Sequence, residues 1–491
     1  VTETTLPRAD GTATPATAQA TAQATAQATA QATAQATAKA KGGQRLKTAP
    51  LAAYAALTFP MGGLGLPITV YLPPLYATEV GLGLALVGTI FMMTRIFDVV
   101  TDPLMGVVID RYPTRWGRRR HWIALSVPLL LVSAVFVYFP PVGATGSYLL
   151  VWMLVLYVGY TMLTIAHQSW GAELSADYAE RNRIYGWREV AIILGMVCVL
   201  ALPALLEQTA GTDAFGKVHA MGWFLIITLP LTALAAIMLV PDHTAPVRQE
   251  RKVEWQQALR VLVGNRSMAR IVAADMMTSL AIGIIGSTYL FLARFVWELP
   301  GYSSLMLLGY FVLGFAGMPF WMWLSKRMSK HRALCVALAW SIVAQLVYLL
   351  PGAGDFTLAL FATFFLGFAF GAGPFLLRSM MADVCDQDRL QTGHNRTALL
   401  YALLTTTAKI GAAVSVGVSY ALLAWVGFDP AATTNTADAL TGLKLIFALL
   451  PIAFLVGAIA LIWNYPIDHA AQADIRRRLE EQLAADRALA D

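Results

Sequence analysis

The residues best suited to chemistry in this 491-residue chain are charges set inside apolar sequence. The segment Thr94-Arg95-Ile96-Phe97-Asp98-Val99-Val100-Thr101-Asp102-Pro103 interrupts a long apolar run. Asp98 and Asp102 are four residues apart, so a helix puts both carboxylates on one face, and Arg95, three before Asp98, shares it. A charge at mid-membrane costs at least about 2.5–3.5 kcal/mol on insertion scales, and two neighbouring acids also repel. Such a pair persists only against a partner or a wet cavity. Pro103 cannot donate an N–H to the Val99 carbonyl, which is freed on the same turn as the acids. Thr101 adds a hydroxyl. Two carboxylates with further oxygen donors suit a small hard cation, or a shared proton. With sodium as the ion, Asp98 and Asp102 would be its metal ligands. The competing reading is a structural ion-pair cluster that holds helices together.

Lys409, within Thr405-Thr406-Thr407-Ala408-Lys409, is the second charge deep in an apolar span. It either pairs with the two acids when no cation is bound or snorkels to the interface. Thr161, Thr164 and Gln168 form a polar stripe at helical spacing, with Tyr160 beside it. The stripe reads as a cavity wall or as helix–helix hydrogen bonding. His167 in the same segment reads as a packing histidine or a titrating one. Asp275 is equally ambiguous. Arg188 serves as an interfacial anchor or faces a cavity. The stretch from Asp110 to Arg120 is a topology signal, a gate latch to Glu173 and Asp177, or both.

These residues need membrane helices to position them. Only 13% of the chain is charged, against about 25% in soluble domains, and 57% is hydrophobic. A bilayer core of roughly 30 Å needs about 20 apolar residues at about 1.5 Å each. Runs such as Ile123 to Phe139 and Met221 to Val240 approach or meet that. The expectation is an all-α membrane protein of about twelve helices, with spans near 49–77, 82–109, 121–140, 147–175, 185–208, 219–240, 268–297, 301–326, 331–351, 356–383, 394–427 and 441–465. Thirty of the 35 Lys and Arg fall in the two tails and alternate loops. By the positive-inside rule both termini are then cytoplasmic, in a cell inner (plasma) membrane, and the helix number is even.

A weak internal repeat supports two six-helix halves. Asp102-Pro103 through Arg118-Arg119-Arg120 recurs in outline as Met318-Pro319 through Lys330-His331-Arg332, and Ala172-Glu173 as Ala382-Asp383. The expected organisation is a disordered Thr/Ala/Gln-rich tail over 1–48, a first half over 49–241, a linker over 242–267, a second half over 268–466 and a charged helical tail over 467–491. No signal peptide is expected, because the first fifty residues lack an apolar core. Cys198, Cys335 and Cys385 have no metal-ligand spacing and read as packed small hydrophobes. The basic balance of +6 lies in short loops, so no nucleic-acid partner is expected. HExxH, a nucleotide-binding glycine loop and a nucleophile triad are all missing, which argues against an enzyme.

The run Arg95-Ile96-Phe97-Asp98-Val99-Val100-Thr101-Asp102-Pro103-Leu104-Met105-Gly106, then Arg115-Trp116-Gly117-Arg118, resembles the signature of the glycoside–pentoside–hexuronide:cation symporters. These belong to the major facilitator superfamily and include melibiose permease. The likeness extends to Ala172-Glu173-Leu174 with Asp177, Glu180 and Arg181, to Ala382-Asp383 with Asp386, and to Lys409. The resemblance implies the major facilitator fold and a cation site at Asp98, Asp102 and Thr161, with Thr101 where melibiose permease has asparagine, so sodium and protons both stay open. It implies that Lys409 and Arg188 line the substrate path, to which Tyr160, Thr164, Gln168 and Thr405 are added from the polar stripes. The sugar-binding aspartates of melibiose permease fall on Gly63 and Thr164, and its tryptophan on Gln168. The expected activity is symport of a sugar, glycoside or uronide by a monomer, driven by Na+ or H+ and needing no other cofactor. The alternatives are a proton-coupled exporter, a lysolipid-like amphiphile carrier, a sensor that binds without flux and, last, a membrane-embedded enzyme.

Overall fold

The computed structural model describes residues 45–112, 114–175, 178–209, 213–242, 265–393 and 396–488. The first half holds α1 (Thr48–Thr78), α2 (Leu84–Arg111), α3 (Arg120–Tyr138), α4 (Gly146–Glu173), α5 (Tyr178–Thr209) and α6 (Ala214–Leu239). The second holds α7 (Arg266–Val296), α8 (Ser303–Arg327), α9 (Lys330–Val347), α10 (Phe356–Thr392), α11 (Thr397–Trp425) and α12 (Ala437–Ile462). Among the described residues, eleven helices are long and apolar enough to cross a membrane. The twelfth of the bundle, α9, has 18 residues and opens on Lys330-His331-Arg332. A further helix, α13 (His469–Ala488), follows the bundle.

Both ends of the bundle lie on one face, the tail face, because the helix number is even. The repeat noticed in sequence becomes a repeated contact there. Arg119 reaches Glu173 at 2.7 Å in the first half, and Lys330 reaches Asp383 at 2.7 Å in the second. Pro103 and Pro319 sit inside α2 and α8, the helices that lead into these loops. Arg118 joins Asp110 at 3.2 Å and Glu173 at 3.4 Å, as a latch of that loop requires. Asp177, its other expected acid, lies outside the described residues, as do nearly all of the expected tail 1–48 and linker 242–267. In the second half, Arg396 pairs with Asp388 at 2.8 Å, and Gln472 of α13 bonds to Asp383. Those contacts explain why α10 runs to Thr392, past the expected end at 383. Among the described residues, tail-face ion pairs stay within one half.

The far face is different, because there the halves are joined. Glu207 at the end of α5 accepts bonds from Ser303 Oγ (3.0 Å), Ser304 Oγ (2.7 Å) and the Ser304 N–H (2.9 Å), and from Lys217 Nζ at 2.5 Å. A carboxylate at the first turn of α8 also complements the helix dipole. Gln208 donates to the Gly301 carbonyl at 2.9 Å, and Arg294 pairs with Glu79 at 3.0 Å. One apolar core runs through both halves at this end, with Tyr71, Tyr289, Phe291 and Tyr420 in it. A second core, from Met268 to Ile467, belongs to the second half alone. The bundle is therefore shut at the far face and cleft toward the tails.

Glu180, just before the apolar part of α5, ties the segment preceding α1 to this bundle. Its carboxylate accepts the Leu46 N–H at 3.0 Å and two bonds from Arg183, which also reaches the Leu46 carbonyl. Bonding to Arg183 holds Glu180 below the usual carboxylate range. A lowered folded pKa contributes stability that is present above the ordinary carboxylate range and lost as pH falls through the folded value. The Leu46 amide is expected to exchange hydrogen faster, after correction for the intrinsic rate, as pH drops through that window. In Glu180→Gln it is expected to exchange fast at every pH. A pH-independent wild-type amide would rule the tie out.

Candidate cation and cargo site

The site is assembled from three helices. The side chain of Asp98, on α2, is fully buried. Its Oδ1 accepts the Thr161 hydroxyl of α4 at 2.7 Å, and its Oδ2 accepts Lys409 Nζ of α11 at 3.0 Å. Lys409 also donates to Asp102 Oδ2 at 2.5 Å. Arg95 stands 3.9 Å from Asp98 Oδ2, with its guanidinium 5.2 Å from the centre of the Tyr157 ring. Two carboxylates thus face two cations, and the cluster is neutral overall. The i, i+4 spacing on α2 is what allows one ammonium to hold both acids. The ammonium belongs to the second half and the acids to the first, so the pair bridges the halves at mid-membrane.

Of the residues expected from sequence, Asp98, Asp102, Thr161 and Lys409 meet. Thr101 is on the same turn, but its hydroxyl donates to the Asp98 carbonyl at 3.2 Å. The Thr164 hydroxyl is buried without a partner among the described residues, and Tyr160 is half-buried. The other three make no described contact with the acids. Gln168 is exposed and receives the Tyr185 hydroxyl on its carbonyl. Arg188 pairs with its neighbour Glu189 at 2.7 Å. Thr405 is exposed and donates to the Tyr401 carbonyl at 2.9 Å. His167 is a packing histidine here, stacked on Tyr54 at 4.1 Å and bonded to its carbonyl.

As a cation site the cluster offers the Asp98 and Asp102 carboxylates, the Thr161 oxygen and the Val99 carbonyl left free by Pro103. All are hard oxygen donors, which fits an alkali ion or a proton. No group of three or more His, Cys, Asp or Glu able to hold a metal occurs among the described residues.

A family model described as MFS/sugar transport protein matches residues 53–469. The chain belongs to this family. This MFS/sugar transport protein is 22% identical over 439 residues to the glucuronide carrier protein homolog of Escherichia coli (strain K12), covering 87% of its own length and 94% of that relative. It is 22% identical over 433 residues to the sodium-dependent lysophosphatidylcholine symporter 1-A of Danio rerio, covering 80% and 81%. The inward open conformation of the xylose transporter XylE from E. coli overlays it with a TM-score of 0.56 at 13% identity, covering 86% of this chain and 96% of that one. The overlay shows the fold alone. The MFS/sugar transport protein is a membrane transporter and not an enzyme, as its composition and missing catalytic motifs led one to expect.

The Glu207 clamp was not foreseen. Glu207 stands at the end of α5 and Ser303-Ser304 at the start of α8, 96 and 97 residues apart. Nothing local marks them as partners.

Proposed function

We propose that the protein is a cation-coupled symporter of a small organic solute, a sugar, glycoside or uronide, working by alternating access in the plasma membrane with both tails cytoplasmic. The observation that carries this reading is the Lys409 bridge to Asp98 and Asp102. A sodium ion or proton arriving at these acids competes with the ammonium for the same oxygens. In a neutral cluster an added positive charge is accommodated when Lys409 withdraws. Withdrawal separates the ion pairs of Lys409 with Asp98 and Asp102, which link the halves at this depth. Ion affinity then differs between the conformations, which coupling requires.

Asp98, Thr101, Asp102 and Thr161 form the cation site in this reading. Tyr160, Thr164 and Lys409 border the cargo path, with Gln168, Arg188 and Thr405 nearer its tail-face mouth. The excess of Lys and Arg on the tail face supports a cytoplasmic opening.

The test is uptake into proteoliposomes under an imposed sodium or proton gradient, with a panel of sugars, glycosides and uronides. Asp98→Asn and Asp102→Asn are each expected to reduce gradient-driven accumulation by about 10–100-fold, the size of a lost charged hydrogen bond. Undiminished accumulation in both would sink the assignment. The second reading, a lysolipid-like amphiphile carrier, is favoured by the lysophosphatidylcholine symporter relative. Directional assays with amphiphiles against sugars separate the two.

A further inference from the structure

A chamber of about 280 Å³ lies between the halves. Thr69 and Val70 line it from the first half, and Ser279, Gly286, Tyr310 and Phe370 from the second. Two of its walls come from places where the helix is irregular. Thr69 and Val70 lie in the π-turn Pro67–Tyr71 of α1. Phe370 lies in the break of α10 between Gly367 and Ala372. Discontinuous membrane helices are where transporters build cargo sites.

Asp275 stands one helical turn from this chamber on the tail side, next to its lining rather than in it. Along α7, Ser279, Ile282 and Gly286 line it. Asp275 is four residues before Ser279, so it lies on the same helix face, one turn nearer the tails. It is 8% exposed. Among the described residues no hydrogen bond or ion pair satisfies it, and Arg378 acts on it only through its field. A point on α11 fixes its depth: Gly411 packs against the Met276 carbonyl and Ser279. Asp275 is thus level with Lys409.

A buried carboxylate without a partner is strongly unfavourable, which leaves it ready for a donor from outside. The chamber above it offers aromatic and aliphatic walls with few polar groups. Its volume is just under the range of ligand sites, about 300–1,000 Å³, which suits a compact ring better than a long acyl chain. We infer that Asp275 holds the cargo by its hydroxyl groups, and that the cargo is a glycoside whose compact apolar aglycone enters the chamber. This rests on the symporter reading, and it moves the main sugar contact from the polar stripe of α4 to α7. Cargo on Asp275 and cation on Asp98 and Asp102 then sit at the depth of Lys409.

The experiment uses purified full-length protein and equilibrium calorimetry, with matched methyl and phenyl β-glucosides, β-galactosides and β-xylosides. A phenyl glycoside is expected to bind about tenfold or more tighter than its methyl partner. Asp275→Asn is expected to weaken both by about tenfold. Gly286→Leu is expected to erase the phenyl preference and keep methyl binding. At Gly286 an added Cβ meets only Val70 and Thr69 methyls, at 3.6 and 3.7 Å, so the longer side chain enters the chamber without moving backbone. Unchanged binding in Asp275→Asn overturns the inference. So does a phenyl preference that survives Gly286→Leu, a panel in which no phenyl glycoside binds, or phenyltrimethylammonium displacing every glycoside. Binding is read without a gradient, so a failed symport reading shows separately, as wild-type binding without gradient-driven uptake.

Discussion

Lys409→Met is expected to abolish coupled accumulation and to make the protein's thermal stability depend steeply on sodium or pH. The ammonium now satisfies Asp98 and Asp102 together, and Asp98 is fully buried. Removing one partner of a buried pair destabilises by about 3–5 kcal/mol. The Lys409 and Asp102 side chains are 24% and 31% exposed to the cleft, so the loss here should be about 1–3 kcal/mol. An ion that neutralises the acids restores that loss. The variant should therefore gain more stability from added sodium, or from lower pH, than the wild type does. Restoration by sodium at fixed pH names sodium as the coupling ion; no sodium effect, with restoration at lower pH, names the proton. Thermal unfolding across both titrations reads this directly. A variant that accumulates cargo as well as wild type, or responds to both titrants as wild type does, would contradict the competition between lysine and cation.

Glu207→Ala is expected to open the far face. Glu207 is 1% exposed and Lys217 14%, so its removal strands a nearly buried ammonium and leaves the Ser304 N–H without its acceptor. Each 1.4 kcal/mol lost from the closed form shifts the open-to-closed ratio tenfold. Breaking a buried charged network removes several kcal/mol, which corresponds to a shift of about 100-fold. The readout is cross-linking of Gln208→Cys to Gly301→Cys, positions that are hydrogen-bonded across the closed face. A Cys198→Ser background removes the exposed native thiol. Cross-linking should be rapid with Glu207 present and at least about tenfold slower in Glu207→Ala. Equal rates would mean that the apolar contacts around Tyr71, Tyr289 and Phe291 close the face by themselves.

The helices were legible because apolar length and basic loops are local properties of the chain. The expected ends fall within about five residues of the observed ones except at the start of α5, expected at 185 and observed at Tyr178, and at the end of α10, expected at 383 and observed at Thr392, where Asp383 and Asp388 make tertiary contacts. The cation cluster was half legible. The pairing of Asp98 with Asp102 follows from spacing, and Pro103 marks the turn. That Thr161 points at Asp98 required the register of α4 against α2. The Thr101 hydroxyl is bound to backbone, and Arg188 is held by the adjacent Glu189, because short-range partners outcompete distant ones. The chamber was not legible, since its walls come from separate helices whose aromatic residues look like ordinary core when read one at a time. Asp275 carried a visible signal, a lone acid in an apolar span, but its meaning depends on the cavity beside it.

The neutrality of the Lys409 cluster has an electrical consequence. In the paired arrangement two acids and two bases cancel, so the halves carry no net charge through the membrane field when they rock in that form. A transmembrane potential acts on a moving elementary charge with about 2.3 kcal/mol per 100 mV. It finds little to act on in the lysine-paired carrier. In the proposed symport cycle, a sodium ion or proton held beside Asp98 and Asp102 would add one uncompensated charge to the moving body. Voltage would then accelerate the loaded half of that cycle and leave the return stroke almost untouched. On this reading Arg95, Asp98, Asp102 and Lys409 set which step of the cycle the cell's membrane potential can drive.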